Sequence, residues 1–175
     1  RKKWQYRRIQ FRFPVANDYR REVGYSLLTA IIFTVVGYLT FMTPFKQFTH
    51  VYTTISQFGV GYFVLSIILL LVVHDTYFYW THRAMHHPSL FRFAHVTHHK
   101  STNPSPWAAM AFHPVEAVVE ALYVTFAAMI FPVHPFAMFI FLLIMMTYNV
   151  YGHLGYELYP KGFSRSLIGK WINTS

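Results

Sequence analysis

The chain contains no cysteine. That absence excludes disulfides, thiolate-bound zinc, cysteine-ligated iron–sulfur clusters and a cysteine nucleophile. Charge is scarce as well. Only 12% of residues are charged, against about 25% in an average globular chain, and that deficit points to lipid. Nothing near the start resembles a signal peptide with a small-residue cleavage site. No internal repeat, low-complexity linker or second domain is visible.

Apolar and aromatic residues take the place of charge: 54% of the chain is hydrophobic and 20% aromatic. The 175 residues suit one domain. The first residue is Arg, so the chain is expected to be part of a longer one. The net charge is +9, and eight of the fifteen Lys and Arg fall in the first 21 residues, "RKKWQYRRIQFRFPVANDYRR". Basic residues mixed with aromatics suit nucleic acid or an anionic lipid surface. The apolar segment that follows selects lipid, and no nucleic-acid partner is expected. Residues 1–22 are read as a basic interfacial segment along the headgroups, and residues 23–175 as a transmembrane domain.

A bilayer-spanning helix needs about 20 mostly apolar residues. Four windows qualify, near 23–42, 59–79, 115–131 and 136–151, the last two short and joined by the uncharged turn "FPVHP" as a helical hairpin. The helix of the second window is expected to run on towards His87, where Pro88 stops it. Threading four spans from a cytoplasmic N-terminus leaves fourteen Lys and Arg inside and only Lys46 outside. Positive charge favours the cytoplasmic side. The expectation is an all-α, multi-pass integral membrane protein, with four transmembrane helices, both termini cytoplasmic and a cytoplasmic histidine-bearing helical cap, in a bacterial inner membrane or an ER-type membrane. A soluble helical protein with buried helices is the alternative.

Seven of the eleven histidines lie between His74 and His99. Ionisable residues at membrane depth are costly and mark function. His82 and His86 are i and i+4; His95, His98 and His99 are i, i+3 and i+4, so each set shares one face of a helix. Metals need ligands that converge from one side, and imidazole suits zinc, copper, iron and nickel. Five such histidines exceed what one tetrahedral ion takes, which suggests two metals. The lack of thiolate and the few carboxylates favour iron, with copper and zinc still open on ligand type.

The stretch "HDTYFYWTHRAMHHPSLFRFAHVTHHKSTNPSPWAAMAFHPVE", continued in "NVYGHLGYELYP" and "KWINTS", resembles the fatty acid hydroxylase/sterol desaturase superfamily. The resemblance implies two non-haem irons held by histidine boxes, O2 as co-substrate, and hydroxylation or desaturation of a lipid C–H bond. It makes His82 and His86 one box and His95, His98 and His99 another, and adds His153 in "GHLGYE" as a further ligand. It also implies a third HxxHH box after the "WINT" segment. That box is absent, so the chain is expected to be truncated before it and to hold an incomplete site. No flavin, haem or iron–sulfur motif is visible. Electrons are therefore expected from an external donor such as a cytochrome b5-like protein, a ferredoxin or a rubredoxin, with other membrane subunits as possible partners. A chain that kept the fold without a complete site would instead be a non-catalytic membrane subunit or a lipid- or metal-binding scaffold. Hydroxylase and desaturase share these boxes, and the lipid is not specified.

Supporting residues are expected around the ligands. Asp75, seven positions before His82, is placed to accept an imidazole N–H or to pair with Arg83. His74 is read as a supporting group or a hydrogen-bonded core histidine, and His87 equally as a helix-end cap or as part of the chemistry. Asn149 and Glu157 flank His153 as supporting candidates. His113, Pro114 and Glu116 are read as a helix start. Tyr77, Tyr79 and Trp80 suit an interfacial aromatic belt.

Overall fold

A computed structural model describes residues 2–10, 13–160, 162–167 and 169. The "KWINTS" motif and Lys161 lie outside the described residues. The architecture is helical, and among the described residues the only β-pairings are two isolated bridges, Arg8 with Tyr156 and Val51 with Val133. The helices are α1 (Ala16–Phe41), α2 (Gly59–Met85), α3 (Pro88–Ala94), α4 (Val96–His99), α5 (Pro114–Ile130) and α6 (Pro135–Gly152).

Three of them, α1, α2 and α6, are long and apolar enough to cross a membrane, and at most 17% of the most apolar stretch of each is buried inside the protein. Their outward faces are rows of exposed apolar side chains: Ile31, Val35 and Leu39 on α1, Val64, Ile68 and Val72 on α2, and Phe139 and Leu143 on α6. Such a surface suits hydrocarbon, since water would penalise an apolar area of that size. α5 is shorter, with 17 residues.

α1 starts seven residues before the first apolar window. Its first turn carries Asp18, whose carboxylate accepts from the Val15 amide at 3.3 Å and pairs with Arg21 at 3.0 Å. Capping set this boundary, and an apolar window does not register capping. The basic segment before it is stitched to the chain after α6. The Ile9 amide donates to Gly155 at 3.0 Å, the Glu157 amide to Arg7 at 2.7 Å, and the Arg7 guanidinium to the Leu158 carbonyl at 2.9 Å.

α1 packs along α5, while α2 packs against both α5 and α6. The small residues Ala117, Ala121, Ala127 and Ala128 of α5 are buried. Small side chains let helices approach closely where apolar burial drives little association, and between α1 and α5 the Thr40 and Thr125 hydroxyls meet at 2.7 Å. The principal core joins α2, α5 and α6 through Leu70, Tyr123, Ala127, Met138 and Phe141. The last two helices do not pack along each other as the expected hairpin; each packs on α2, which stands between them. The turn before α6 meets the loop after α1: the His50 amide donates to Ala128 at 2.7 Å, and the Tyr52 amide to Val133 at 3.1 Å. The histidine boxes lie at the other end of α2 and α6.

α2 stops at Met85, with His86 as its cap, and α3 restarts at Pro88. His87 between them is extended, at φ −60° and ψ 135°, because a residue before proline avoids the helical region.

Candidate metal centre

The site is built on the end of α2 and the two short helices beyond it. His82 and His86, one helical turn apart, bring their Nε2 atoms to 3.1 Å. α3 ends at His95, whose φ of −129° and ψ of −17° break the helix before α4 begins. That break turns the second box back over the first. His99 Nε2 reaches 3.3 Å from His86 Nε2, and the His95 ring sits 4.5 Å from His82 and 4.6 Å from His99, centre to centre. One nitrogen from each of His82, His86, His95 and His99 falls within 4.8 Å of the others.

His95 is fully buried. Its Nδ1 lies 2.8 Å from Glu116 Oε1; an ionised carboxylate can only accept, so with Glu116 charged Nδ1 carries the proton. Nε2 keeps its lone pair, is buried, and has no hydrogen-bond partner among the described residues; the same holds for Nδ1 of His82 and of His98. Buried polar atoms are normally satisfied. Orphaned imidazole nitrogens inside a cluster of imidazoles fit a metal ion, and the all-nitrogen donor set fits iron, copper or zinc.

His98 departs from the expected single face. It stands outside the cluster of four, with its ring 5.5 Å from His95, 5.8 Å from His153 and 5.4 Å from Phe112. His153 Nδ1 donates to the Asn149 backbone carbonyl at 2.7 Å, which leaves Nε2 as its free acceptor. The predicted ligands therefore form a cluster of four and a neighbouring pair. Burial lowers the pKa of His95, His98 and His99, and neighbouring imidazoles add to the effect at His98 and His99; His98 is brought down to about 3. At neutral pH these rings carry lone pairs, as metal binding requires.

The supporting residues sort differently from expectation. Asp75 makes no hydrogen bond to His82 or Arg83 among the described residues; Arg83 donates to the Tyr79 hydroxyl at 2.9 Å. Asp75 instead lines an open groove of about 720 Å³ along α2, together with Thr76, Phe78, Tyr79, His82, Arg83 and His86. His74 packs among Phe78, Tyr123 and Phe141, away from the cluster. Asn149 serves through its backbone carbonyl. Glu157 accepts from the Tyr159 amide at 2.9 Å and shapes a turn. His87 caps α3, accepting from the Ser89 amide. His113 caps α5 as read, but Glu116 does more than start that helix. Its contact with His95 spans 21 residues of sequence, and the one available signal was a lone carboxylate three residues after a histidine–proline cap.

The fatty acid hydroxylase family model matches residues 67–175. The chain is 35% identical to a Delta(7)-sterol 5(6)-desaturase of Gibberella zeae over 106 residues, 61% of this chain and 33% of that protein. It is 35% identical over 118 residues to one from Aspergillus fumigatus, covering 66% of this chain and 37% of the relative. Human lathosterol oxidase is 29% identical over 120 residues, 67% of this chain and 40% of the relative. The chain thus spans between a third and two-fifths of the length of these relatives. No solved structure matches. With two histidine boxes folded over each other at the end of an apolar helix, and a family model covering more than half its length, the chain belongs to the fatty acid hydroxylase family.

Proposed function

We propose that this chain is the metal-bearing part of a membrane enzyme that oxidises a lipid C–H bond with O2, as a hydroxylase or a desaturase. The observation that carries the reading is the convergence of His82, His86, His95 and His99, with the His95 Nε2 buried and unsatisfied, in a member of this family. Those four hold one iron in this reading; His98 and His153 contribute to a second. Bound iron supplies the oxygen and electron chemistry, with electrons from an external donor of the cytochrome b5, ferredoxin or rubredoxin kind.

The protein's own residues prepare that site. Glu116 and the Asn149 carbonyl keep the protons of His95 and His153 on Nδ1. Phe91 against His86 and Phe112 against His98 exclude water from one side of each ring. The groove along α2 runs beside His82 and His86 and carries Phe78 and Tyr79 on its wall, and in this reading it admits a lipid chain to the site. The names of the relatives make a Δ7-sterol the first lipid to test.

The four-span arrangement belongs to the same proposal. α5 begins beside the histidine cluster, where Glu116 meets His95, and ends where Ala128 accepts from His50. Its length is about 25 Å at 1.5 Å per residue, near the bilayer core of about 30 Å. Both observations support α5 as the fourth span, with the cluster on the cytoplasmic side.

The test is purification of the full-length protein, iron analysis, and an O2-dependent assay with a Δ7-sterol beside sphingoid and acyl lipids. Iron should co-purify, oxidised product should appear, and His86→Ala should lose the product and part of the iron. An iron-free protein that binds lipid without turnover would sink the enzyme reading in favour of a scaffold.

A further inference from the structure

We propose that Glu116 is a positioning residue for the metal centre: it pins the proton of His95 to Nδ1 and thereby presents Nε2 to the other three imidazoles. The proposal rests on the reading of His82, His86, His95 and His99 as metal ligands.

His95 needs such a partner more than its neighbours do. His82 and His86 project from one regular helix, so the backbone sets their spacing. His95 occupies the break between α3 and α4, where no helix period directs the ring. A neutral imidazole has two tautomers, and the one protonated on Nε2 cannot ligate through that atom. Glu116 is the hydrogen-bond partner that decides between them, 2.8 Å from Nδ1 with both side chains buried.

The carboxylate is itself held. It sits in the first turn of α5, begun by the His113 cap and Pro114, where the helix dipole favours a negative charge. α5 is in turn packed along α1. The second oxygen, Oε2, is buried with no hydrogen-bond partner among the described residues. A buried carboxylate short of partners is costly, and a cation bound to the other side of His95 offsets that cost. Metal and Glu116 therefore stabilise each other through one imidazole. Glu120, one turn along α5, makes no hydrogen bond to His95 among the described residues and serves as the control.

The experiment uses the full-length protein in detergent, stripped of metal and titrated with Co2+, with affinity and the ligand-field absorption spectrum as readouts. Glu116→Gln should lower Co2+ affinity roughly 10–100-fold, as loss of an imidazole's hydrogen-bond partner does, and alter the spectrum. Its metal-free melting temperature should stay near that of the unaltered protein. Glu120→Gln should bind as the unaltered protein does. Glu116→Asp keeps the charge but withdraws it by one methylene, so it should also bind weakly; it serves if the Gln variant does not fold. Unaltered affinity and spectrum in either folded Glu116 variant would overturn the proposal, as would a metal-free destabilisation large enough to account for the lost affinity. If the unaltered protein binds no Co2+ or iron, the metal-enzyme reading falls as well, which separates the two failures.

Discussion

Proline at the first position of a helix brings no amide, so the next residue's amide is the first left without a partner. An imidazole directly before the proline is within reach of it. His87, His113 and His134 all accept this way, from Ser89, Val115 and Phe136 at 3.4, 3.3 and 3.1 Å. Three histidines are thereby assigned to capping by a pattern visible in the sequence, the pair His-Pro. The ligand candidates all lack that proline. For them the helical period gave His82 with His86, but not the separation of His98 towards His153, because that depends on where the chain after α6 returns, which no spacing rule contains. Nor did sequence distance give Glu116, which reaches its imidazole through the packing of α5. The separation has a consequence. If His98 serves a second ion with His153, His98→Ala should cost about half of the bound iron, whereas His86→Ala should disrupt the cluster of four. Elemental analysis of purified full-length variants, normalised to membrane-inserted protein, reads this directly, and an undiminished iron content in His98→Ala would remove that residue from the ligands.

At the scale of elements, the apolar windows located the long helices well because lipid-facing residues need no periodicity, only length. They missed the start of α1, where Asp18 caps a polar turn ahead of the apolar run. They also gave no sign that α2 would stand between α5 and α6, since the Ala and Thr residues that set helix approach contribute little to hydropathy. Two of the histidine caps make a controlled comparison. Replacing a cap costs about 1 kcal/mol, so His113→Ala and His134→Ala should lower thermal stability by similar amounts. Their effects on metal should differ, because α5 carries Glu116 and α6 begins at the far end from the cluster. We expect His113→Ala to weaken iron retention and His134→Ala to leave it near normal at matched stability. Equal iron loss in both would mean that the α5 start does not transmit order to His95.

For the whole molecule, the decisive question is how many times the chain crosses the bilayer, and the metal centre constrains the answer. His153 follows α6, and His98 lies between α2 and α5, yet their rings are 5.8 Å apart. The α6 start and the loop after α1 are joined at the opposite end, where His134 Nε2 lies 3.1 Å from the Thr53 carbonyl. If α1, α2 and α6 each span the membrane, α5 must traverse the same thickness for His98 and His153 to share a side. A span of 17 residues is short, and a short span is accommodated by local thinning of the bilayer at a modest cost. The charge distribution points the same way, with fourteen cations assigned to one side and Lys46 to the other. Reporter fusions after Lys46, Lys100 and Arg165 should therefore report outside, inside and inside. A fusion at Arg165 that matched Lys46 instead would mean that α5 does not cross, and the pairing of His98 with His153 would have to be abandoned along with the fourth span.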